Sequence, residues 1–382
     1  MSDKIQKPLI SVIIPTRERA ETLFFAIQTA LDQTSNDFEV IVSDNFSQDN
    51  TKEVVRNFSD PRLIYFNTSK RLSMCDNWDF ALEKARGEYV IFIGDDDGLM
   101  PGAIDKLQVT IQSKPSLVYC WPKPGYVWPT SGQRASYLPP QTYPSDINLK
   151  KLARFVVKMG GARFTFLPSV YHSAVAKCIL DMIRKQTGRV FHSTQPDIFT
   201  ALAIPVFSDT AINVGYFVTV GGQSPKSNSA IAAYGKDGIG IVNLEKFVQE
   251  YGNYKVHPSL FPGINVRANL LSDSMLIAMD KFPQFYSGLQ WNYNAMWAYT
   301  LRLAKFDKWY ISMKEILQKR RQIRYYHSFS ILKFLTYRVL QEFAAFYRSL
   351  LEKNMKLGPF SKNVPDNIGD FVKQLADYQK TL

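Results

Sequence analysis

Three cysteines in 382 residues, Cys75, Cys120 and Cys178, are too few and too widely spaced for a disulfide framework or a Cys-x-x-Cys metal site. A reducing compartment is the simplest reading. No apolar run approaches the roughly 18–20 residues needed to cross a bilayer. The opening MSDKIQKPLI has neither an apolar core nor a small-residue cleavage site, so no secretory leader is expected. The phosphate loop G-x-x-x-x-G-K-[ST], the metalloprotease H-E-x-x-H and the nucleophile elbow G-x-S-x-G are all missing. GKDGIG, from Gly235, follows no strand pattern and lacks dinucleotide spacing. There is no internal repeat.

What is present is a large stock of apolar and aromatic residues, 46% and 14%, which argues against disorder. A chain of this length buries enough surface to fold without staples. Its length suggests two domains, or one with an appendage. The net charge of +12 admits nucleic acid, anionic membranes or phosphorylated substrates, and the total alone does not choose among them.

The first 120 residues alternate short β-branched runs with helical patterns. Strands are expected at Ile10–Ile14, Phe38–Ser43, Leu63–Phe66, Tyr89–Ile93 and Leu117–Trp121. Helices are expected at Ala20–Asp32, after a Thr51 cap, at Met74–Arg86 and from Pro101. Such alternation builds a mainly parallel sheet covered on both faces, whose ligands bind beyond the carboxyl ends of the strands. The residues to inspect are therefore Thr16-Arg17-Glu18, Asp44-Asn45, Asn67 to Arg71 and Gly94 to Asp97. Pro122 to Pro144 holds six prolines and reads as a long loop, not a packed element. Beyond Gly222 the pattern is mainly helical.

Asp95, Asp96 and Asp97 stand between an apolar strand and Gly98. Adjacent carboxylates repel unless a cation neutralises them, and Mg²⁺ or Mn²⁺ favours one or two carboxylates plus substrate phosphates. A solvated acidic turn is the plain alternative. PLISVIIPTRER, FEVIVSDNFSQDNT and ARGEYVIFIGDDDGLMPGAI together resemble the N-terminal half of the family 2 glycosyltransferases of GT-A fold. The likeness is firm over about residues 8–120 and looser to about 230.

This resemblance implies a GT-A domain over 1–230 and a helical, basic region over 231–382. It implies inverting transfer from a nucleotide sugar, a UDP-sugar by preference, with Mn²⁺ or Mg²⁺. Pro15, Thr16 and Glu18 resemble the first nucleotide loop, and Asp44 the residue meeting base or ribose. Asp95 and Asp97 resemble the D-x-D pair, with Asp96 between them in the donor site and Asp97 as the metal ligand. Asp44 is equally an Asx-turn former. Arg17 and Gly94 depart from the common pattern.

A direct displacement needs a base near the acceptor hydroxyl. Asp197, in HSTQPDIFTALAI, is the candidate by its place in the chain, although the usual Glu-Asp pair is missing. The alternative is a helix-start carboxylate; Asp181 and Asp209 are weaker rivals. Gly221 to Ala230 is either a lid carrying Lys226 to the donor diphosphate or a linker. Arg71 is a second phosphate candidate. His192 is left out of the metal set. Trp78, Trp121 and Trp128 are expected to pack.

From Arg302 to Lys356 there are 13 Lys and Arg against four Asp and Glu, a net of +9, interleaved with aromatics. That composition fits either an anionic membrane surface or a bundle packed on the catalytic domain or a second subunit. The expected protein is a cytoplasmic, peripherally bound enzyme of cell-surface polysaccharide synthesis with a glycan or lipid-linked acceptor. The alternatives are a non-catalytic GT-A-like module or a nucleic-acid binder. Nucleic acid is not expected, because no binding module is seen and the acidic edge repels phosphates.

Overall fold

The computed structural model describes residues 7–129, 135–138, 144–227, 249–252, 254–260, 267–306, 332–337, 339–340, 342–343 and 364–380. An eight-stranded sheet organises them. Its strands are β1 (Ile10–Thr16), β2 (Phe38–Asp44), β3 (Leu63–Asn67), β4 (Tyr89–Phe92), β6 (Val118–Cys120), β9 (Asp146–Asn148), β10 (Ser173–Ala176) and β11 (Thr210–Asn213). They lie in the order β3-β2-β1-β4-β10-β6-β11-β9. The pairs β3–β2, β2–β1, β1–β4 and β6–β11 are parallel, whereas β10 runs antiparallel to both β4 and β6.

The apolar runs form these strands because both faces are buried. Ile13, Ile41, Val90 and Phe92 enter one core, while Val12, Ile14, Val40, Val42 and Ile91 enter the other. Alternate side chains of one strand point to opposite faces, so a strand buried on both sides reads as a continuous apolar run. Helices α1 (Ala20–Leu31), α2 (Thr51–Arg56), α3 (Met74–Lys84) and α4 (Ala103–Ser113) follow their strands. Thr51 is the first helical residue and not the cap; Asn50 holds that position, and Thr51 Oγ1 donates to Asp49. Pro101 lies in the turn before α4.

From β1 the chain progresses to β2 and β3 on one side, then crosses back to place β4 on the other. That reversal opens a crevice at the carboxyl ends of β1 and β4, the usual ligand position in open α/β sheets. A second, four-stranded sheet closes over it: β5 (Gly98–Leu99), β12 (Thr219–Gln223), β7 (Gly125–Val127) and β8 (Ala135–Tyr137), in the order β5-β12-β7-β8.

This small sheet corrects two expectations. The start of the proline-rich stretch is a packed element, with Tyr126 and Trp128 buried, because β7 pairs with β12 over Gly221↔Gly125. Gly221–Gln223 is likewise strand, not linker. Residues 228–230 of the expected lid and most of the 302–356 basic stretch lie outside the described residues.

Among the described residues further helices are α5 (Leu149–Lys158), α6 (Lys177–Thr187), α7 (Pro196–Phe207), α8 (Arg267–Lys281), α9 (Tyr293–Phe306) and α10 (Ile368–Lys380). Those after residue 230 do not build a core of their own. Met275, Leu276, Phe282 and Trp297 share one with Val156, Phe199 and Leu202, and α10 puts Ile368, Phe371 and Val372 into the core beneath α1. A boundary at 230 therefore divides sequence patterns, not hydrophobic cores. Among the described residues no helix is long and apolar enough to cross a membrane.

Candidate functional site

The crevice is floored by Asp95, Asp96 and Asp97, all buried at the end of β4. Each carboxylate is held differently. Asp95 accepts from Thr16 Oγ1 at 2.7 Å and faces Arg19 Nη1 at 2.8 Å. Asp96 accepts through Oδ2 from Ser224 N at 3.0 Å and Ser224 Oγ at 2.6 Å, with Arg19 at 3.8 Å. Asp97 accepts from Gly222 N on Oδ1 at 2.7 Å, and from Gly94 N and Tyr171 Oη on Oδ2, each at 2.5 Å. His172 Nε2 stands 3.2 Å from the same Oδ2.

Electrostatics separate the three. Burial pushes Asp96 up to about 6, opposed by Arg19 and reinforced by its two neighbours. Asp95 is also raised by burial, against Arg19 and the Thr16 hydroxyl. Burial would raise Asp97 too, but its contact with His172, the charge of Lys123 and the Tyr171 hydroxyl hold it below the usual carboxylate range. His172 is itself pushed down to about 4 by burial, with Lys123 adding to the effect, so it is a neutral ring at neutral pH. Its Nδ1 lies 2.8 Å from Thr219 Oγ1, which also accepts from Trp121 Nε1 at 2.7 Å.

Three protein donors fall on Asp97, one on Oδ1 and two on Oδ2. The contacts described for Asp96 fall on Oδ2 and leave Oδ1 toward Gly94, so Asp96 stands beside Asp97 as a candidate ligand. One carboxylate oxygen completed by phosphates and water is a donor set that Mg²⁺ or Mn²⁺ accepts. Among the described residues no three His, Cys, Asp or Glu side chains converge on a cation position.

The other expected residues lie around this floor. Pro15 and Thr16 end β1, paired with Ser43 and Asp44 of β2. Asp44 accepts from Ser47 N, Tyr65 Oη and Asn67 Nδ2, which is an Asx turn with both oxygens engaged. Glu18 has φ of 55° and accepts from Gln48 N, while its carbonyl accepts from Lys226 Nζ at 3.1 Å. Arg71 pairs with Glu250 at 2.6 Å. Phe46 (φ 59°), Ser69 (φ 53°) and His172 (φ 59°) are also left-handed. Such conformations cost on the order of 1–3 kcal/mol each and gather at functional edges.

Asp197 lies in the first turn of α7, partly exposed. Burial raises its pKa, and Lys123 works in the opposite direction. Burial lowers the Lys123 pKa, against the charges of Asp97, Asp197 and Asp96. Asp181 pairs with Lys177 and Asp209 with Lys150 on exposed surfaces, away from the floor. His192 contacts Thr187 and the Arg189 carbonyl. Trp78, Trp121 and Trp128 are buried as expected, and Trp128 also donates from Nε1 to the Asp96 carbonyl at 2.9 Å.

Sequence reasoning missed Arg19, Lys123, Tyr171, His172, Gly222, Ser224 and Glu250. Arg19 carried a signal, its place directly behind the β1 loop. Ser224 and Gly222 lay in a stretch read as either a lid or a linker. Tyr171 and His172 carried none, because they reach Asp97 only through the antiparallel wedge of β10.

Residues 11–167 match the family model described as Glycosyl transferase family 2. Over 103 residues the chain is 42% identical to the GalNAc(5)-diNAcBac-PP-undecaprenol beta-1,3-glucosyltransferase of Campylobacter jejuni, which is 26% of this chain and 33% of that one. Over 265 residues it is 24% identical to the cholesterol galactosyltransferase of Borreliella burgdorferi, covering 68% and 73%. The first of these alignments thus spans about a third of the relative's length. Among solved structures, S. aureus TarS 1-349 with UDP-GlcNAc superposes with a TM-score of 0.51 at 14% identity, over 82% of this chain and 79% of that one.

Proposed function

We propose, from the premise that the chain belongs to the family 2 glycosyltransferases through residues 11–167, that it transfers a hexose from a UDP-sugar to a lipid-linked glycan with inversion. The observation that carries this is the buried triple-aspartate floor at the switch point between β1 and β4, tied to the β1 loop through Thr16 and Arg19. The named relatives act on an undecaprenol-linked glycan and on cholesterol, and TarS was crystallised with UDP-GlcNAc.

In this reading the loops after β1 and β2 hold the nucleotide. Thr16 and Arg19 fix Asp95, and Ser224 and Arg19 fix Asp96, so the floor is rigid before substrate arrives. Asp96 Oδ1 would hold Mn²⁺ or Mg²⁺, which when bound neutralises charge on the departing diphosphate. Lys226, over the Glu18 carbonyl, and Arg71 supply positive charge at the rim. Asp197 accepts the proton of the attacking hydroxyl; burial raises its pKa, and backbone N–H groups of the first turn of α7 and the charge of Lys123 oppose that rise.

The acceptor suggests a membrane face. Residues 332–337, 339–340 and 342–343 are helical, and Leu332, Leu335, Val339 and Phe343 fall on one exposed stripe. Phe334 and Tyr337 anchor the opposite side in the core, with Asn292 donating to Tyr337 Oη. An apolar stripe within a basic stretch suits the surface of an anionic bilayer, and a peripheral enzyme on the inner leaflet follows.

The test is to screen UDP- and GDP-sugars for Mn²⁺-dependent binding and then for donor hydrolysis. Binding of one nucleotide sugar with slow hydrolysis is expected; no binding by any, with or without metal, sinks the reading.

A further inference from the structure

Arg17 follows β1 and Arg71 follows β3, and both guanidinium groups grip one carboxylate. Arg17 Nη1 lies 2.8 Å from Glu250 Oε2, and Arg71 Nη2 lies 2.6 Å from Glu250 Oε1. Glu250 is 233 residues from the first and 179 from the second, so chain proximity does not impose the contact. Arg17 is the immediate neighbour of Thr16, whose hydroxyl donates to Asp95. Lys226, on the Glu18 carbonyl, adds a third positive charge beside the same loop.

Two arginines converging on one small oxyanion form the arrangement that recognises phosphate as well as carboxylate. The grip is also easily opened. The Arg71 side chain is 57% exposed and Arg17 27%, so water and salt screen both pairs. Glu250 sits in a turn at 249–252 and not on a strand of the sheet. A diphosphate presents more charge and more acceptor oxygens to the same guanidinium groups than one carboxylate does.

We propose that Glu250 is an internal stand-in for phosphate: it occupies an anion subsite formed by Arg17 and Arg71, and the diphosphate of the incoming nucleotide displaces it. The identification of the anion rests on the transferase reading; the displacement itself does not. Before donor binds, the latch keeps the two arginines in position and lowers the affinity of the site for free anions. On displacement Glu250 is released toward solvent, so donor binding and the position of the 249–252 turn are coupled.

The experiment titrates UDP, GDP and inorganic pyrophosphate into the full chain and its variants by calorimetry at low salt. Glu250→Gln is expected to bind pyrophosphate, and the nucleotide that the enzyme uses, about five- to tenfold more tightly than wild type. Glu250→Asp, too short to reach both arginines, should gain less. Adding Arg71→Gln to Glu250→Gln should abolish the gain. Glu21→Gln, removing an exposed carboxylate of α1, should change nothing. Equal or weaker binding by both Glu250 variants, or an equal gain from Glu21→Gln, overturns the latch. Nucleotide binding that is the same in wild type and the Glu250 variants leaves the transferase reading standing and removes the latch. Tighter pyrophosphate binding with no nucleotide bound by any protein does the reverse. Silence from all three ligands in all variants removes both.

Discussion

Gly222→Ala tests how the acidic floor is held. A Cβ at Gly222 would stand 1.7 Å from the Asp96 carbonyl oxygen, 2.5 Å from its carbonyl carbon and 3.2 Å from Trp128 Nε1. The obstruction is backbone, so no rotamer relieves it, and β12 must back away by roughly 1.5 Å to restore ordinary contact. That movement breaks Gly222 N to Asp97, strains both Ser224 bonds to Asp96 and loosens Trp128 on the Asp96 carbonyl. Overpacking costs about 1–3 kcal/mol and a lost charge-assisted hydrogen bond about 1.5–3 kcal/mol, so a total of about 2.5–6 kcal/mol is expected. Two neighbours calibrate the result. Gly221→Ala meets only the far end of the Lys123 side chain at 3.0 Å, and a flexible chain can move aside. Gly87→Ala meets Ser11 N at 2.5 Å at the opposite end of the sheet, so it should destabilise while sparing the donor site. Urea unfolding and Mn²⁺-dependent nucleotide binding are measured for all three. If Gly222→Ala is as stable and binds as well as wild type, β12 does not lie against Asp96 and the described floor is wrong.

The acid limb of kcat should lie above the ordinary carboxylate range, because burial raises Asp197 and the base must be ionised; activity is lost as pH falls through that raised pKa. Lys123→Met removes the charge that opposes the rise, so the limb should move to higher pH; an unmoved limb between pH 4 and 8 rejects Asp197 as base. Asp96→Asn should abolish Mn²⁺-dependent binding and leave the fold intact. Asp97→Asn should instead lower stability by about 2–4 kcal/mol, since it unpairs buried donors, and urea midpoints with metal titrations separate the two. Replacing Leu332, Leu335, Val339 and Phe343 by Ser should abolish co-flotation with anionic vesicles without lowering the melting temperature; undiminished flotation removes the membrane face.

The parallel half of the sheet was legible because β1, β2 and β4 are buried on both faces, and such strands must be written as unbroken β-branched runs. Asp95 to Asp97 were legible because they are contiguous and follow such a run. The supports of those aspartates were not. Tyr171, Gly222 and Ser224 lie 74, 125 and 128 residues from their partners, and they arrive on three- to five-residue strands too short for a period to show. Proline misled at β7, where Pro122 and Pro124 lead into a buried Gly-Tyr-Val instead of marking open loop. The D-x-D spacing suggested alternate roles for Asp95 and Asp97. Only the local donors reveal that three of them fall on Asp97.

One consequence concerns timing during synthesis. The acidic turn leads into β5, and Gly98 of β5 is backed by Ile368 and Val372 of α10, which lie 3.3 and 3.2 Å from where its Cβ would be. All carboxylate partners of the floor have been translated by Ser224, yet this backing is not made until about 150 residues later. At 5–20 residues per second the nascent protein waits roughly 7–30 s with its aspartates assembled but unsupported. Over that interval the apolar residues of β5 and α1 that α10 covers lack that cover. The order of the sequence thus delays the backing of the acidic turn until α10 has been made.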